Sequence, residues 1–198
     1  MSLHPNDYDA RGTVIVGICG GLRSGKSTLA QMFSSNHSDR VRRISFADGV
    51  REQVAQGMNL IHPVELVRFD KQILRPILQA WGNGMRELKG EDYWIDYMLD
   101  QPFWSLIPDN SVVIIDDVRY LNEAAFIIEE GGFLIRLDCD EQTRIERGAK
   151  NDETELNHPS EVGLDGFSSY LTTVDTSSTT PAECYSVVYE VLRSVGVF

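Results

Sequence analysis

The segment Gly20–Ser27 is the feature that most restricts what this chain can fold into. Its sequence, GGLRSGKS, satisfies the spacing G-x-x-x-x-G-K-[ST] and directly follows the β-branched apolar run Thr13–Cys19. Residues 27–34 continue as a predicted helix. A strand, a glycine-rich turn and a helix in this order form a phosphate-binding loop, in which backbone N–H groups and the positive end of the helix face phosphate oxygens. The chain is therefore expected to bind the phosphates of a nucleoside triphosphate, ATP.

The residues of this loop have separate predicted roles. The glycines let the backbone turn its N–H groups inward, which a Cβ atom would prevent. Lys26 is expected to bridge the β- and γ-phosphates as a catalytic residue, and the Ser27 hydroxyl is expected to bind Mg²⁺. The predicted nucleotide contacts are Gly20, Gly21, Leu22, Arg23, Ser24, Gly25, Lys26, Ser27 and Thr28.

The rest of the chain alternates strands with helices. Four further strands are predicted from short apolar runs, at residues 41–46, 111–117, 133–138 and 171–175. This alternation is typical of a sheet covered on both faces, so we expect an α/β, three-layer P-loop fold with a five-stranded parallel sheet. Residues 1–12 are interpreted as a loose leader and residues 13–198 as a single domain.

Two segments interrupt the alternation. Residues from about 60 to 104 are helical throughout and are interpreted as an insertion that binds the acceptor substrate; the expected breaks within it are at Pro76, Gly82, Gly84 and Pro102. Residues from about 144 to 168 overlap the end of a charged helix near Glu141–Lys150 and are otherwise polar. They are interpreted as a small lid.

Two aspartates, Asp116 and Asp117, end the predicted strand at residues 111–117. Ligands of parallel sheets bind beyond the carboxyl ends of the strands, which is also where the glycine loop lies. Asp116 is therefore predicted to hold the water shell of Mg²⁺ together with Ser27, the alternative being a helix cap or a surface turn residue. Asp117 is predicted either to contact the substrate or to cap a helix.

Composition restricts the partners. The formal net charge of −12 argues against a nucleic-acid polymer, whose phosphates need a basic surface. No apolar stretch approaches the roughly 20 residues that cross a bilayer. Cys19, Cys139 and Cys184 lack metal-ligand spacing and are interpreted as buried free thiols of a cytoplasmic protein. Small nucleotides are the expected partners, and the oligomeric state, a homodimer included, is left open.

Missing motifs exclude several classes of P-loop protein. The chain contains no N/T-K-x-D segment of the kind that GTPases use to bind guanine, and it is too short for a transporter-type ATPase. Nucleoside monophosphate kinases combine a small sheet, a helical insertion after the second strand and an arginine-bearing lid before the last strand. The predicted order of elements agrees with that layout.

Five segments carry a closer resemblance: GICGGLRSGKST, FADGVRE, ILQAWGNGMRELKGEDYW, VVIIDDVRYLNEAAFIIEEGG and NHPSE. They resemble the phage-type deoxynucleoside monophosphate kinases, from about residue 13 to the last strand, and Asp116–Glu123 and His158–Glu161 are the most specific parts after the loop. The resemblance implies transfer of the γ-phosphoryl group of ATP to a deoxynucleoside 5′-monophosphate, with Mg²⁺. Gly82-Asn83-Gly84 departs from the Gly-Thr-Glu that members often have, which leaves recognition of the base or sugar open.

Arginines are the expected ligands of the phosphoryl groups, since an arginine directed at the moving group can raise the rate by roughly 10³–10⁵. Arg144 and Arg147 lie one helical turn apart and are predicted to be catalytic. The alternative is a solvated helix face that pairs with Glu141 and Glu146. Arg119 matches the family arginine and is predicted to bind the acceptor phosphate.

The remaining predicted contacts lie in or before the helical insertion. Arg51 and Arg86 are predicted to reach the acceptor, and Trp81 is predicted to stack on its base, with a place in the core as its alternative. Asp48 is predicted to N-cap its helix and also to contact the substrate. The segment His158–Glu161 is predicted to act in lid closure or nucleotide contact.

These features together predict an ATP- and Mg²⁺-dependent kinase of deoxynucleoside monophosphates. Two alternatives stay open. One is a P-loop kinase of another small acceptor, such as dephospho-coenzyme A or a ribonucleoside monophosphate. The other is a nucleotide-binding regulator that has kept the loop without turnover.

Overall fold

The computed structural model of the chain describes residues 12–148, 163–164 and 166–198. These residues form two compact units, of which the smaller is Ser45–Ser105 and the larger combines Leu106–Phe198 with the segment that ends at Ile44. The predicted leader and most of the predicted lid, including His158–Glu161, lie outside the described residues. What was predicted for them stays a prediction.

The larger unit contains a five-stranded sheet in the order β2-β3-β1-β4-β5, in which each pair of neighbouring strands runs parallel. The strands are β1 (Val14–Cys19), β2 (Val41–Ile44), β3 (Val112–Val118), β4 (Phe133–Asp138) and β5 (Thr172–Asp175). Each strand begins and ends within two residues of its predicted position. The predicted α/β fold with a five-stranded parallel sheet is therefore confirmed.

The helices of the larger unit follow the strands. They are α1 (Lys26–Asn36), α5 (Leu121–Glu129), α6 (Glu141–Glu146) and α7 (Pro181–Ser194). The start of α7 was predicted: the Thr180 side chain accepts the Glu183 N–H, and the Glu183 carboxylate accepts the Thr180 N–H at 2.8 Å. The charged helix ends at Glu146, earlier than the predicted Lys150, because the chain turns at Gly148, where φ is 91°.

The core of the larger unit lies against the central strands. Val112–Ile115 of β3 are fully buried, as expected of a parallel strand that is covered on both faces. On one face, Leu29 and Phe33 of α1 and Val188 of α7 belong to a single buried cluster with the strands. Burial of these apolar faces positions α1, and with it the glycine loop, at the carboxyl end of β1.

The smaller unit contains helices and no strand among its described residues, as predicted for the insertion. Its elements are α2 (Phe46–Gly57), a 3₁₀ helix (Pro63–Arg68), α3 (Lys71–Lys89), α4 (Tyr93–Leu99) and a 3₁₀ helix (Pro102–Leu106). Contrary to expectation, Pro76, Gly82 and Gly84 do not break α3. A Cβ atom added at Gly82 would make an ordinary contact of 3.7 Å with Val50 of α2.

The predicted cap of α2 was wrong. Ser45 occupies the N-cap position. Asp48 lies within the first turn, where its backbone N–H donates a hydrogen bond to the Ser45 carbonyl. The helix starts earlier than predicted because Phe46, its first residue, is buried and anchors that end. A carboxylate in the first turn still stabilises the positive end of the helix.

The three cysteines are free thiols, with Cys19 and Cys184 buried and Cys139 only half-buried. Burial raises the pKa of Cys19 to about 11 and also raises the pKa of Cys184, so neither thiol is ionised at neutral pH. Within the described residues, no helix combines the length and the apolar character that crossing a membrane requires.

Candidate active site

The loop between β1 and α1 is built on residues with a left-handed backbone. The φ angles are 138° at Gly20, 64° at Arg23 and 99° at Gly25. A Cβ atom on Gly20 would overlap the carbonyl oxygen of Leu137 at the end of β4, so only glycine fits there. Arg23 is the one position where a residue with a side chain adopts this conformation in the loop, at a cost that the surrounding contacts offset.

Side chains bind the carbonyl groups of this loop. The Lys26 ammonium donates to the carbonyls of Gly20 (2.6 Å) and Gly21 (2.8 Å), and its side chain is almost buried against the loop. The Thr176 hydroxyl lies 2.9 Å from the Ser24 carbonyl. In a planar trans peptide the C=O and the following N–H point in opposite directions. Where a side chain holds a carbonyl of the loop, the N–H group of the following residue therefore points away from that side chain.

The start of α1 completes an anion site. Gly25 occupies its N-cap position and has no side chain with which to cap the helix. The first N–H groups of a helix lack intrahelical partners and carry partial positive charge, so they bind phosphate readily. The glycine backbone, the Lys26 ammonium and this helix end together fit the phosphates of ATP.

Asp116 lies near the end of β3 and is almost fully buried. Its Oδ2 atom accepts a hydrogen bond of 2.6 Å from Nη2 of Arg43, on the neighbouring strand β2. Asp116 is thus neither a helix cap nor a surface turn residue. Sequence reasoning missed Arg43, because the sequence does not show that β2 lies beside the strand that carries Asp116.

The donor atoms near the loop fit Mg²⁺. Nowhere in the described ranges do three or more His, Cys, Asp or Glu side chains form a group that could hold a metal ion. Mg²⁺ is usually bound by one or two protein oxygens together with substrate phosphates and water, so a rich cluster is not required. The Ser27 hydroxyl and the Asp116 carboxylate would supply those oxygens.

The turn after β3 is fixed by a buried glutamate. Glu123 of α5 is 2% exposed, and its Oε2 atom accepts the N–H groups of Arg119 (2.7 Å) and Tyr120 (3.1 Å). This contact explains the glutamate in the Asp116–Glu123 segment: it holds the backbone that carries Arg119. Asp117 and Arg119 are both half-buried at this turn.

Replacement of Glu123 by alanine is expected to lower the free energy of unfolding by about 1–3 kcal/mol, since two N–H groups lose a buried acceptor. Urea unfolding followed by far-UV circular dichroism measures it. Glu123→Gln keeps one acceptor oxygen and should lose clearly less. An unchanged midpoint for the alanine variant would show that the cap contributes nothing.

Arg144 and Arg147 both lie beside the loop. The guanidinium of Arg144 lies against Gly21, so close that a Cβ atom there would stand 2.6 Å from Nη1. Its Nε atom is buried and finds no hydrogen-bond partner among the described residues. Nη2 of Arg147 donates to the Thr176 carbonyl at 2.6 Å, and Nη1 lies 3.4 Å from the Arg23 carbonyl. In the described part, the partners of Arg147 are the Arg23 carbonyl, Thr176 and the Cys139 thiol. The alternative prediction was pairing with Glu141 or Glu146.

The predicted contacts on α2 and α3 lie in the smaller unit. Arg51 and Asp48 form an ion pair of 2.8 Å one helical turn apart, and both are exposed. Arg86 donates to the Glu91 carbonyl at 2.8 Å, beyond the end of α3. Whether these side chains bind an acceptor stays a prediction.

Trp81 is held by a chain of hydrogen bonds within the same unit. Its indole N–H donates to Oε1 of Gln53 (3.0 Å), and Nε2 of Gln53 donates to the Tyr93 hydroxyl (2.6 Å). Trp81 is 42% exposed, whereas Trp94 is buried. Trp94 therefore belongs to the core, whereas Trp81 does not.

Comparisons with known proteins show the family of this chain. Residues 16–161 match the model of a family described as an AAA domain. A protein of Acanthamoeba polyphaga mimivirus, named "Putative deoxynucleotide monophosphate kinase", is 31% identical over 179 residues, which cover 79% of this chain and 85% of the relative.

Solved structures support the fold alone. The protein APE1195 aligns with 92% of this chain and 96% of its own length, with a TM-score of 0.52 and 18% identity. A thymidylate kinase from Candida albicans aligns over 93% of each chain at 12% identity, but its TM-score of 0.48 is too low to support an argument.

Proposed function

This chain is an AAA-domain protein of the deoxynucleotide monophosphate kinase family, and we propose that it transfers the γ-phosphoryl group of ATP to a deoxynucleoside 5′-monophosphate. It is a P-loop phosphotransferase. The observation that supports the proposal is that two positively charged side chains contact Gly21 of the loop. The Lys26 ammonium donates to the Gly21 carbonyl, and the Arg144 guanidinium lies against the same residue. The deoxynucleotide acceptor is inferred from the name of the mimivirus relative.

Phosphoryl transfer asks the protein for positioning and neutralisation of charge more than for covalent chemistry. We propose that the loop N–H groups and Lys26 hold the phosphates of ATP and that Arg144 stabilises negative charge on the transferring group. Ser27 and Asp116 would hold Mg²⁺, which when bound neutralises charge on the phosphate oxygens. No general base is needed, because the acceptor phosphate is already ionised at neutral pH.

On the acceptor side, we propose that Arg119 binds the phosphate of the nucleoside monophosphate. The Glu123 carboxylate accepts the backbone N–H of Arg119, and this hydrogen bond fixes the backbone from which the arginine side chain extends. Asp117, two positions earlier and within β3, is a proposed substrate contact.

The remaining proposed acceptor contacts are residues of the smaller unit. Trp81 is proposed to stack on the base, since an exposed indole whose N–H is already bound presents a fixed aromatic face. Asp48, Arg51 and Arg86 complete the proposed set.

An ADP-release assay with each of the four deoxynucleoside monophosphates tests this function. At least one should stimulate ADP formation more strongly than its ribonucleoside counterpart. Lys26→Met, prepared in parallel, controls for contaminating kinases. Stimulation only by ribonucleotides or by dephospho-coenzyme A would reassign the acceptor. No stimulation by any acceptor, modified pyrimidine deoxynucleotides included, would reject the proposal.

A further inference from the structure

Thr176, which follows β5 directly, is a buried polar residue with contacts to three segments of the larger unit. Its N–H donates to the Asp138 carbonyl at the end of β4, at 2.7 Å. Its carbonyl accepts the 2.6 Å hydrogen bond from Arg147. Its hydroxyl lies 2.9 Å from the Ser24 carbonyl and 3.0 Å from the Asp138 carbonyl.

The Thr176 hydroxyl has a single proton, so it donates to one of these two carbonyls at a time. The Asp138 carbonyl already accepts the Thr176 N–H, whereas Ser24 lies in the glycine loop and is fully buried. Because an unpartnered buried carbonyl is costly, the proton is best placed on the bond to Ser24. This bond joins residues that are 152 positions apart in the sequence.

The consequence for the loop follows from the peptide plane between Ser24 and Gly25. Its C=O and N–H point in opposite directions, and the chain has no cis peptide bond among the described residues. A hydroxyl that holds the Ser24 carbonyl therefore also directs the Gly25 N–H toward the opposite side. That N–H belongs to the Gly-Lys-Ser part of the loop, where such groups bind phosphate oxygens.

Arg147 supports the same arrangement from the other side of Thr176. Besides its bond to the Thr176 carbonyl, its Nη1 atom lies 3.4 Å from both the Thr176 hydroxyl and the Arg23 carbonyl. These longer contacts are weak compared with the 2.6 Å bond. The Arg147 guanidinium thus positions Thr176, and the Thr176 hydroxyl in turn binds the Ser24 carbonyl of the loop.

We infer that Thr176 is a positioning residue for nucleotide binding, which sets the direction of the Gly25 N–H through the Ser24 carbonyl, and that Arg147 acts through Thr176 and not on the transferring phosphoryl group. The inference rests on the proposed function only in requiring that the loop binds nucleotide phosphates. It does not depend on the identity of the acceptor.

Calorimetric titration with Mg²⁺ and ADP, without an acceptor, tests this inference. Thr176→Val removes the hydroxyl at nearly constant volume and should raise the Kd for ADP about tenfold, as expected for one lost hydrogen bond. Thr176→Ser keeps the hydroxyl and should stay within about threefold of the unchanged protein. Thr179→Val is the matched control, because the exposed Thr179 hydroxyl donates only to the nearby Asp175 carbonyl at 2.6 Å in the described structure, and it should leave the Kd unchanged.

A purely structural role for Thr176 would lower the unfolding midpoint of the valine variant while its Kd for ADP stayed unchanged, and that result would overturn the inference. If Thr176→Val does not fold, Arg147→Met decides the question, since Arg147 lies at the exposed end of α6. The inference requires weaker ADP binding in this variant. A lower kcat with unchanged ADP binding would place Arg147 on the transferring group instead. Full deoxynucleotide turnover beside unchanged ADP binding in Thr176→Val would reject this inference and leave the proposed function standing.

Discussion

Replacement of Lys26 by methionine is expected to lower phosphoryl transfer by about 10³-fold or more, because the ammonium is a nearly buried positive charge within the loop that is proposed to hold the phosphates. Methionine matches the length of the lysine stem and suits a side chain that is only 9% exposed. Steady-state turnover in the ADP-release assay measures the loss. The Kd for ADP should rise as well, since the bonds to the Gly20 and Gly21 carbonyls disappear.

Lys89→Met is the control for this substitution. Lys89 is exposed at the last position of α3, so its loss should leave both turnover and the urea midpoint unchanged. A Lys26→Met enzyme that keeps more than about a tenth of its turnover would contradict the role assigned to the loop lysine.

Replacement of Arg144 by methionine is expected to lower kcat by about 10³-fold, at the lower end of what an arginine on the transferring group contributes. The Kd for ADP should change by less than about threefold, because the interaction is made mainly in the transition state. The structural reason is the placement of the guanidinium against Gly21 and the buried Nε atom without a described partner.

Two further variants sharpen this prediction. Arg193→Met removes an exposed arginine of α7, whose contact with Glu190 is 3.6 Å long, and should leave kcat unchanged. Gly21→Ala keeps the arginine but puts a Cβ atom 2.6 Å from its Nη1, so the guanidinium must move away and kcat should also fall. Equal losses in kcat and in ADP binding would make Arg144 a ligand of the bound nucleotide instead.

Sequence patterns predicted the sheet well because buried parallel strands are continuous apolar runs, as Val112–Ile115 illustrates. The start of α7 could be predicted equally well, since the residues of the Thr180–Glu183 capping box are close together in the sequence. The start of α2 could not be predicted in this way, because Ser45 and Asp48 are both good capping residues. Only the burial of Phe46 decides between them.

Side-chain partners across the sheet were the part that sequence reasoning could not supply. Arg43 meets Asp116 because β2 and β3 are neighbours, and that adjacency follows from strand order, which the sequence pattern does not contain. Thr176 and Ser24 are likewise joined only through the folded sheet. The candidate residues of the loop could be predicted from a local motif, but the residues that hold the loop in place could not.

The central place of β1 in the sheet has a consequence for how the chain acquires its activity during synthesis. β1 pairs with β3 on one side, where Val14 lies opposite Val112, and with β4 on the other, where Cys19 lies opposite Arg136. The glycine loop therefore leaves the ribosome before either neighbouring strand of β1, which has no lasting partner until β3 (Val112–Val118) has been made. A nascent chain that stops before β4 leaves one edge of the apolar strand β1 unpaired, and such an edge favours aggregation.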